Sequence, residues 1–183
     1  VMDQAPRYEG WCESLKAVLA DPDYNPGGKE IKTVMSEFDA TPYSPWGQNP
    51  YNYNYPGYSA AADCYINTNY FGGVWTGGAL CHMAGGGLDI AMKFQSRGVY
   101  GIIESKNGQF YKTPLWYCLK MLRERADFVE GSSIFATRVE GSKMVDGFAY
   151  SSAENPRIVI INRSFTGKKV NVLIKNLIGT GQK

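Results

Sequence analysis

The sequence predicts an α/β fold for residues 1–127 and a small all-β domain for residues 128–183. Three observations support this division. Before Asp127, segments with helical periodicity alternate with short apolar runs. Short apolar runs in such an alternation are typical of buried parallel strands. After Asp127, the sequence contains only strand-like runs that are separated by turn residues. A change from alternating helices and strands to strands alone indicates two domains of different architecture.

Local signals define the first helix and the first strand. Residues 8–20 place apolar side chains at helical spacing: Trp11, Leu15, Val18 and Leu19. The segment DPDYNPGG then ends the helix, because proline and glycine are poorly tolerated in a helix interior. The mostly apolar run of residues 31–38 predicts a strand that ends close to Glu37.

A second helix and a second strand follow. Residues 59–83 indicate a helix with Ser59 as its N-cap. The glycines between positions 72 and 78 weaken this prediction, and they either permit close packing or mark a break. Residues 88–94 predict a short strand, so the chain up to this point alternates regularly between the two kinds of element.

The third helix precedes the all-β domain. Residues 113–126 predict a helix with Thr113 as N-cap and Pro114 at its first helical position. The strand-like runs that follow Asp127 cover residues 134–139, 144–150, 157–162 and 170–174. Gly141-Ser142 and Asn155-Pro156 are predicted as turns between them.

Composition and charge exclude several functional classes. The net charge is +2 and no basic run stands out, so neither a nucleic acid nor a membrane surface is expected as a partner. No stretch reaches the ~18 apolar residues that a membrane span needs. No CxxC pair is present, and His82 is the only histidine, so we expect a structural histidine, free thiols and no metal or cofactor. The cysteines are Cys12, Cys64, Cys81 and Cys118.

Glu37 and the loop behind it are the candidate functional site. Ligands of parallel α/β folds bind beyond the carboxyl ends of the strands, and Glu37 is predicted at such an end. The loop of residues 40–59 is rich in tyrosine, and aromatic rings bind molecules with apolar faces and hydroxyls, such as sugars. Two interpretations stay open: Glu37 performs chemistry beside these rings, or it only caps or pairs while the tyrosines pack the loop.

Three segments resemble a known group of enzymes. IKTVMSEFDA resembles the seventh-strand motif of clan A glycoside hydrolases, which are eight-stranded (β/α) barrels with the nucleophile at the end of that strand. GVYGIIESKNGQFYKTPLWYCLKML is similar to the closing segment of the barrel. RIVIINRSFTGKKVNVLI resembles the end of the small β-sandwich in family 39 (β-xylosidase-like) and family 86 (agarase-like) enzymes.

The resemblance implies a fold and an activity. Residues 1–127 would be the C-terminal part of a TIM barrel, from about helix six to helix eight, and residues 128–183 a β-sandwich domain. Glu37 would be the nucleophile of a retaining glycoside hydrolase that cleaves O-glycosidic bonds of a poly- or oligosaccharide. The compartment stays open, and a secreted or periplasmic location is favoured.

The substrate contacts are inferred from position. The loop residues Tyr43 and Trp46 follow Glu37 most closely, and alternate tyrosines follow them. Phe94 stands in the strand where many clan members have a tryptophan under the sugar, although it equally fits a place in the barrel core. The full set of expected substrate-binding residues is Tyr43, Trp46, Tyr51, Tyr53, Phe94, Gln95 and Arg97.

One departure from the clan pattern concerns the second carboxylate. The clan takes its acid/base residue from an NE pair at the end of the fourth strand, and the sequence contains no such pair. Asp39, Asp89 and Glu104 do not match that motif. The acid/base residue is therefore expected upstream, and three sources stay open: a separate polypeptide that completes the barrel, an earlier piece lost by cleavage, and a part not included in this sequence. The alternatives are a non-catalytic carbohydrate-binding module and an unrelated α/β protein with a β appendage.

Overall fold

A computed structural model describes nine stretches of the chain, namely residues 5–39, 70–93, 96–97, 101–106, 108–126, 131–135, 137–152, 155–164 and 166–173. The first part contains α1 (Arg7–Ala20), β1 (Val34–Phe38), α2 (Tyr70–Gly85), β2 (Ile90–Lys93), β3 (Ile103–Lys106), β4 (Gln109–Lys112) and α3 (Pro114–Lys120), which continues into a π-helical turn (Met121–Arg125). The second part contains β5 (Ser133–Phe135), β6 (Val145–Ser152) and β7 (Asn155–Asn162).

The end of α1 is fixed by the residues that predicted it. Asp21 adopts an extended conformation directly after the helix. The side-chain amide of Asn25 donates to the carbonyl oxygens of Leu19 and Lys29 at 3.0 and 2.9 Å, and its oxygen accepts from the amide of Lys29. These bonds satisfy backbone groups that a helix end leaves unpaired, so the chain turns towards β1 at a defined place.

β1 and β2 are parallel neighbours, as the sequence predicted, with α2 lying between them in the chain. Asp89, just before β2, joins their amino ends. Its carboxylate accepts from the amide and the hydroxyl of Thr33 at 2.7 and 2.8 Å and pairs with Lys16 of α1 at 2.7 Å. Lys16 and Thr33 hold the pKa of Asp89 far below its ordinary value. This acid therefore has a structural role at the edge opposite Glu37.

One face of the β1–β2 pair is covered by helices and the other face is open. Ala5, Cys12, Phe38, Trp75, Ala79 and Met83 form a core in which α1 and α2 pack on the sheet. On the opposite face, Val34, Ile90 and Met92 are 47%, 44% and 51% exposed. Apolar side chains at this exposure leave a sheet face without a cover among the described residues.

The glycines of α2 permit close packing and do not interrupt the helix. A Cβ atom at Gly73 would lie 3.0 Å from the carbonyl oxygen of Pro114, and one at Gly77 would lie 2.9 Å from the sulfur of Cys118. Both neighbours belong to α3. α2 runs without a break through Tyr70–Gly85, while its predicted start at Ser59 lies outside the described residues. The glycines therefore cost helix propensity but let α3 approach α2 closely.

β3 and β4 form an antiparallel hairpin that the sequence analysis did not predict. Gly108 has φ +75°, which a glycine adopts without the steric cost of a side chain. The hairpin leads into α3, which begins at Pro114 after Thr113, as predicted. The hydroxyl of Thr113 bonds to the carbonyls of Gly101 and Ile102 at 3.2 and 3.0 Å, so it secures the chain at the base of the hairpin.

β5, β6 and β7 form one antiparallel sheet with the order β5-β6-β7. Its inner side chains, Phe148, Tyr150 and Val159, pack with Cys81 of α2 and with Leu122. The hydroxyl of Tyr150 donates to the carbonyl oxygen of Ala126, which ties β6 to the end of the third helical segment. The sheet is therefore anchored to the α/β part through a shared core.

The described residues show the predicted mixture of helices and strands, but they do not show the predicted barrel or sandwich. The sheets contain two, two and three strands and none is closed, so no barrel is observed, because two parallel strands cannot close into an eight-stranded cylinder. The all-β part shows one sheet, not the two of a sandwich. Residues 170–173 are exposed and irregular where a strand was predicted. Pro156 lies within β7, an edge strand, where the lack of an amide donor is tolerated, and not in a turn.

Candidate functional site

Glu37 lies on an irregular part of β1, next to its carboxyl end. Val34 pairs with Ile90 and Met35 with Ala91, but Phe38 pairs with Lys93, so Ser36 and Glu37 together oppose the single residue Met92. This is a β-bulge, which bends a strand and redirects its side chains and is over-represented next to active sites. The sequence alone gave no signal for the bulge.

The side chain of Glu37 is exposed, whereas its neighbour Phe38 is buried against the ring of Trp75 at a centroid distance of 6.5 Å. The helix-covered face of the sheet is therefore occupied by Phe38, and Glu37 lies outside that core. An exposed carboxylate at the carboxyl end of a parallel strand is accessible to a ligand. The position of Glu37 at this edge agrees with the expectation from the sequence.

A second acid, Asp39, directly follows β1 and is held differently. Its Oδ1 pairs with Nζ of Lys93, the last residue of β2, and both side chains are nearly buried at 10% and 9% exposure. Its Oδ2 is buried without a hydrogen-bond partner among the described residues. The two groups meet because the carboxyl ends of parallel neighbours lie at the same edge of a sheet.

Burial governs the protonation of this pair. It raises the pKa of Asp39 to about 6 although the hydrogen bond and the charge of Lys93 act in the opposite direction. Burial also lowers the pKa of Lys93, against the influence of Asp39. The pKa of Tyr8 in α1 is raised by burial and by the charge of Asp39, which places this hydroxyl in the same environment. The sequence analysis assigned no role to Lys93. The only feature of the sequence that could have indicated its contact with Asp39 was its place at the end of a predicted strand.

The raised pKa of Asp39 predicts a pH dependence of stability. In the folded state Asp39 is protonated below about pH 6, whereas in the unfolded state it is protonated only below about pH 3.8. Protonation of Asp39 therefore stabilises the folded state. This stabilisation is full below pH 3.8 and is lost as pH rises through about 6. We expect the free energy of unfolding of the wild type, relative to Asp39→Asn, to fall between pH 4 and pH 7. Urea titrations at both pH values measure it, with the exposed Asp23→Asn as control. An equal difference at both pH values would contradict this assignment.

Arg97, expected as a substrate contact, is held by the β3–β4 hairpin. Its guanidinium donates to the hydroxyl of Ser105 at 3.2 Å and lies 5.0 Å from the ring centroid of Phe110. Arg97 also forms an isolated bridge with Ile103. Phe110 itself is 64% exposed and was not selected from the sequence. The hairpin therefore orients Arg97 and adds an exposed ring beside it.

The other expected substrate contacts lie outside the described residues: Tyr43, Trp46, Tyr51, Tyr53, Phe94 and Gln95. Of the expected set, the described residues therefore contain only Glu37 and Arg97. Glu37 lies next to the end of β1, and Arg97 lies shortly after β2 in the chain.

The cysteines and the histidine do not form a reactive or metal-binding group in the described part of the chain. Cys12, Cys81 and Cys118 are free thiols, as expected, and Cys64 lies outside the described residues. Burial raises the pKa of Cys81 to about 12 and that of Cys118 to about 11, so these thiols stay protonated and are poor nucleophiles. No cluster of three metal-ligating side chains is found within the described ranges.

A cavity of about 620 Å³ lies away from the strand ends, where α1 and α2 meet the β5–β7 sheet. Its charged and polar lining includes Glu9, His82, Lys143, Asp146 and Arg163, and Glu37 does not contribute to it. The sequence analysis did not predict this cavity, because its lining residues are far apart in the chain.

The fold and the site define a class: a mixed α/β protein with a parallel strand pair that carries an exposed carboxylate near its carboxyl end. Among the described residues, no helix has the length and apolarity needed to cross a membrane. The chain matches no family model, no curated protein and no solved structure.

Proposed function

We propose that this chain is part of a retaining glycoside hydrolase and that Glu37 is its nucleophile. The observation that carries the proposal is the exposed Glu37 on a β-bulge next to the carboxyl end of a parallel strand, shortly before a tyrosine-rich stretch of the sequence. Ligands of parallel α/β structures bind at this edge, and rings suit the apolar faces of sugars. The resemblance of IKTVMSEFDA to a nucleophile motif supports the same assignment.

The reaction assigns one role to Glu37. Its carboxylate attacks the anomeric carbon, the bond from that carbon to the leaving oxygen breaks, and an acid donates a proton to this oxygen. A glycosyl ester on Glu37 results. Water, deprotonated by the former acid, then attacks the anomeric carbon and releases the sugar and the free carboxylate, so no oxidant, metal or cofactor takes part.

The acid/base residue of this reaction comes from elsewhere in the proposed enzyme. Retaining enzymes hold it about 5 to 5.5 Å from the nucleophile. Asp39 is committed to the pair with Lys93, and Asp89 is committed to Thr33 and Lys16 at the amino end of the strands. An upstream polypeptide is the proposed source of this residue, because the sequence contains no NE pair of the kind that supplies it in the clan.

The open face of the strand pair supports such a polypeptide. A sheet of two strands is marginally stable by itself, and β1 and β2 have no further sheet partner strand among the described residues. Val34, Ile90 and Met92 are exposed on the face without helices. Additional parallel strands would pair with the edges and cover these side chains, which is the arrangement of the proposed (β/α) barrel.

Substrate binding is assigned to rings and polar groups that follow the two strands. In this proposal Tyr43 and Trp46 stack on sugar faces close to Glu37, and Tyr51, Tyr53, Phe94 and Gln95 complete the site. Arg97, held by Ser105 and Phe110, provides a positive charge near it. The substrate is a plant or algal poly- or oligosaccharide.

Covalent trapping tests this proposal. The complete protein is incubated with activated 2-deoxy-2-fluoro xylosides, galactosides and glucosides, whose glycosyl esters hydrolyse slowly because fluorine destabilises the oxocarbenium-like transition state. We expect the mass of one glycosyl group on the peptide that contains Glu37. Saccharide binding without trapping or turnover would instead identify a carbohydrate-binding module. Label on another carboxylate would overturn the assignment of Glu37.

A further inference from the structure

A continuous chain of charged groups connects the helices with the β5–β7 sheet. Nδ1 of His82 in α2 lies 2.6 Å from Oε2 of Glu9 in α1, and Nε2 lies 3.5 Å from Oδ1 of Asp146 in β6. Asp146 accepts two hydrogen bonds from Arg163, which follows β7, at 2.6 and 3.0 Å. The groups come from four separate parts of the chain and line the cavity described above.

The positions of the carboxylates of Glu9 and Asp146 determine which protonation state of His82 is favoured. Nδ1 must carry a proton to donate to Glu9, so a neutral ring would turn the lone pair of Nε2 towards Asp146. That contact is repulsive. A second proton on Nε2 converts it into an attraction, although 3.5 Å is long for a hydrogen bond and Nε2 has no such partner among the described residues. The doubly protonated ring is therefore the form that suits both neighbours.

Other groups around the ring modify this preference. The Arg163 charge partly neutralises Asp146, Lys143 lines the same cavity, and the ring of Phe148 contacts the imidazole edge-on at 4.8 Å. Burial of His82 disfavours its charge. The polar contacts with Asp146 and Glu9 and the charges of these two carboxylates nevertheless outweigh burial and raise the pKa of His82 above 6.5.

We propose that protonated His82 holds the β5–β7 sheet against α1 and α2 through its contacts with Glu9 and Asp146. This set of contacts, called the clasp below, weakens when the ring loses a proton. The imidazolium lies between one carboxylate on the helix side and one on the sheet side. Loss of the Nε2 proton removes the charge that attracts both carboxylates, leaves a neutral hydrogen bond from Nδ1 to Glu9, and makes the contact with Asp146 repulsive. The adjoining cavity gives solvent access, so the ring exchanges its proton without global unfolding. This inference does not depend on the proposed glycosidase activity.

The direction of the pH effect follows from linkage. A histidine with a raised pKa in the closed form stabilises that form fully below the pKa of the open form, near 6.5, and this stabilisation is lost as pH rises through the higher value. The opening equilibrium constant then increases up to tenfold for each unit of difference between the two pKa values.

The single histidine makes the first measurement unambiguous. An NMR titration of the imidazole Cε1–H in the wild-type chain should show a midpoint above 6.5. Glu9→Gln should shift this midpoint to lower pH, because it removes the charge beside Nδ1. Glu13→Gln changes an exposed acid on the same helix and should leave the midpoint unchanged. A wild-type midpoint at or below 6.5 would overturn the proposal.

Hydrogen exchange measures the clasp itself. After correction for the intrinsic exchange rate, amides of β6 and β7 should exchange faster as pH rises through the imidazole midpoint, while those of the α2 interior change less. His82→Gln should remove this pH dependence. Protection of β6 and β7 that stays constant across the midpoint in the wild type would show that the histidine does not hold the sheet, and it would reject the clasp even if the midpoint is raised.

Discussion

Replacement of Glu37 by glutamine in the complete protein is expected to abolish glycoside hydrolysis, with a loss in kcat on the order of 10⁴-fold or more, as for other nucleophiles. The neutral amide cannot form the glycosyl ester, so the first chemical step has no nucleophile to attack the anomeric carbon. Glutamine has nearly the same size and Glu37 is exposed, so stability and saccharide affinity should change little. Turnover assays and binding isotherms on the same preparation measure both quantities.

Residues close to Glu37 in the sequence offer matched controls for this prediction. Glu30→Gln removes an exposed acid that pairs with Lys32 before β1, and Ser36→Ala changes the bulge beside Glu37. Both variants should keep turnover within a few-fold of the wild type. Activity that survives in Glu37→Gln would exclude the nucleophile role. Absence of turnover in the wild type, together with binding that depends on Glu37, would favour the carbohydrate-binding module.

Asp146→Ala is expected to lower the free energy of unfolding by about 3–5 kcal/mol, because it removes the carboxylate that neutralises the buried charge of Arg163. The two side chains are 8% and 3% exposed, and Arg163 donates to both carboxylate oxygens of Asp146. Arg163 also donates to the carbonyl oxygen of Lys143 at 2.6 Å, and this bond, which does not involve Asp146, supplies no negative charge in its place. Urea unfolding at constant pH measures the change.

Two comparisons distinguish the stability loss expected for Asp146→Ala from the smaller loss caused by breaking an exposed ion pair. Arg138 and Glu140 form an ion pair of 3.1 Å that is 84% and 74% exposed, and Glu140→Ala should cost less than about 1 kcal/mol. Combining Asp146→Ala with Arg163→Met should recover part of the loss, since the buried charge is then removed. If the double variant loses as much stability as the two single variants together, the cost arises from packing and not from the buried charge of Arg163 that lacks its carboxylate.

Elements with local signals were predicted well. The segment DPDYNPGG ended α1 at the expected place, and Pro114 after Thr113 marked the start of α3, because the backbone effects of proline and of turn residues act over a few residues. The apolar runs that became β1 and β2 indicated parallel neighbours correctly. The β3–β4 hairpin was missed, since β4 is exposed throughout and has no apolar alternation.

Predictions that required packing over long distances failed or could not be made. The glycines of α2 left two outcomes open, and only the position of α3 shows that they permit contact. The irregular segment 170–173 has the alternation of a strand but no pairing partner among the described residues, and backbone pairing is what makes a strand.

The sequence by itself determined the order α1, β1, α2, β2 and α3, without the β3–β4 hairpin, together with the end of α1, the start of α3 and the place of Glu37 near the carboxyl end of a strand. Only the tertiary structure decided that Lys93 meets Asp39 across 54 residues and that His82 meets Glu9 across 73. The physical reason is range. Caps, turns and periodicity act within one or two helical turns, whereas burial and ion pairing depend on which distant segments come together when the chain folds.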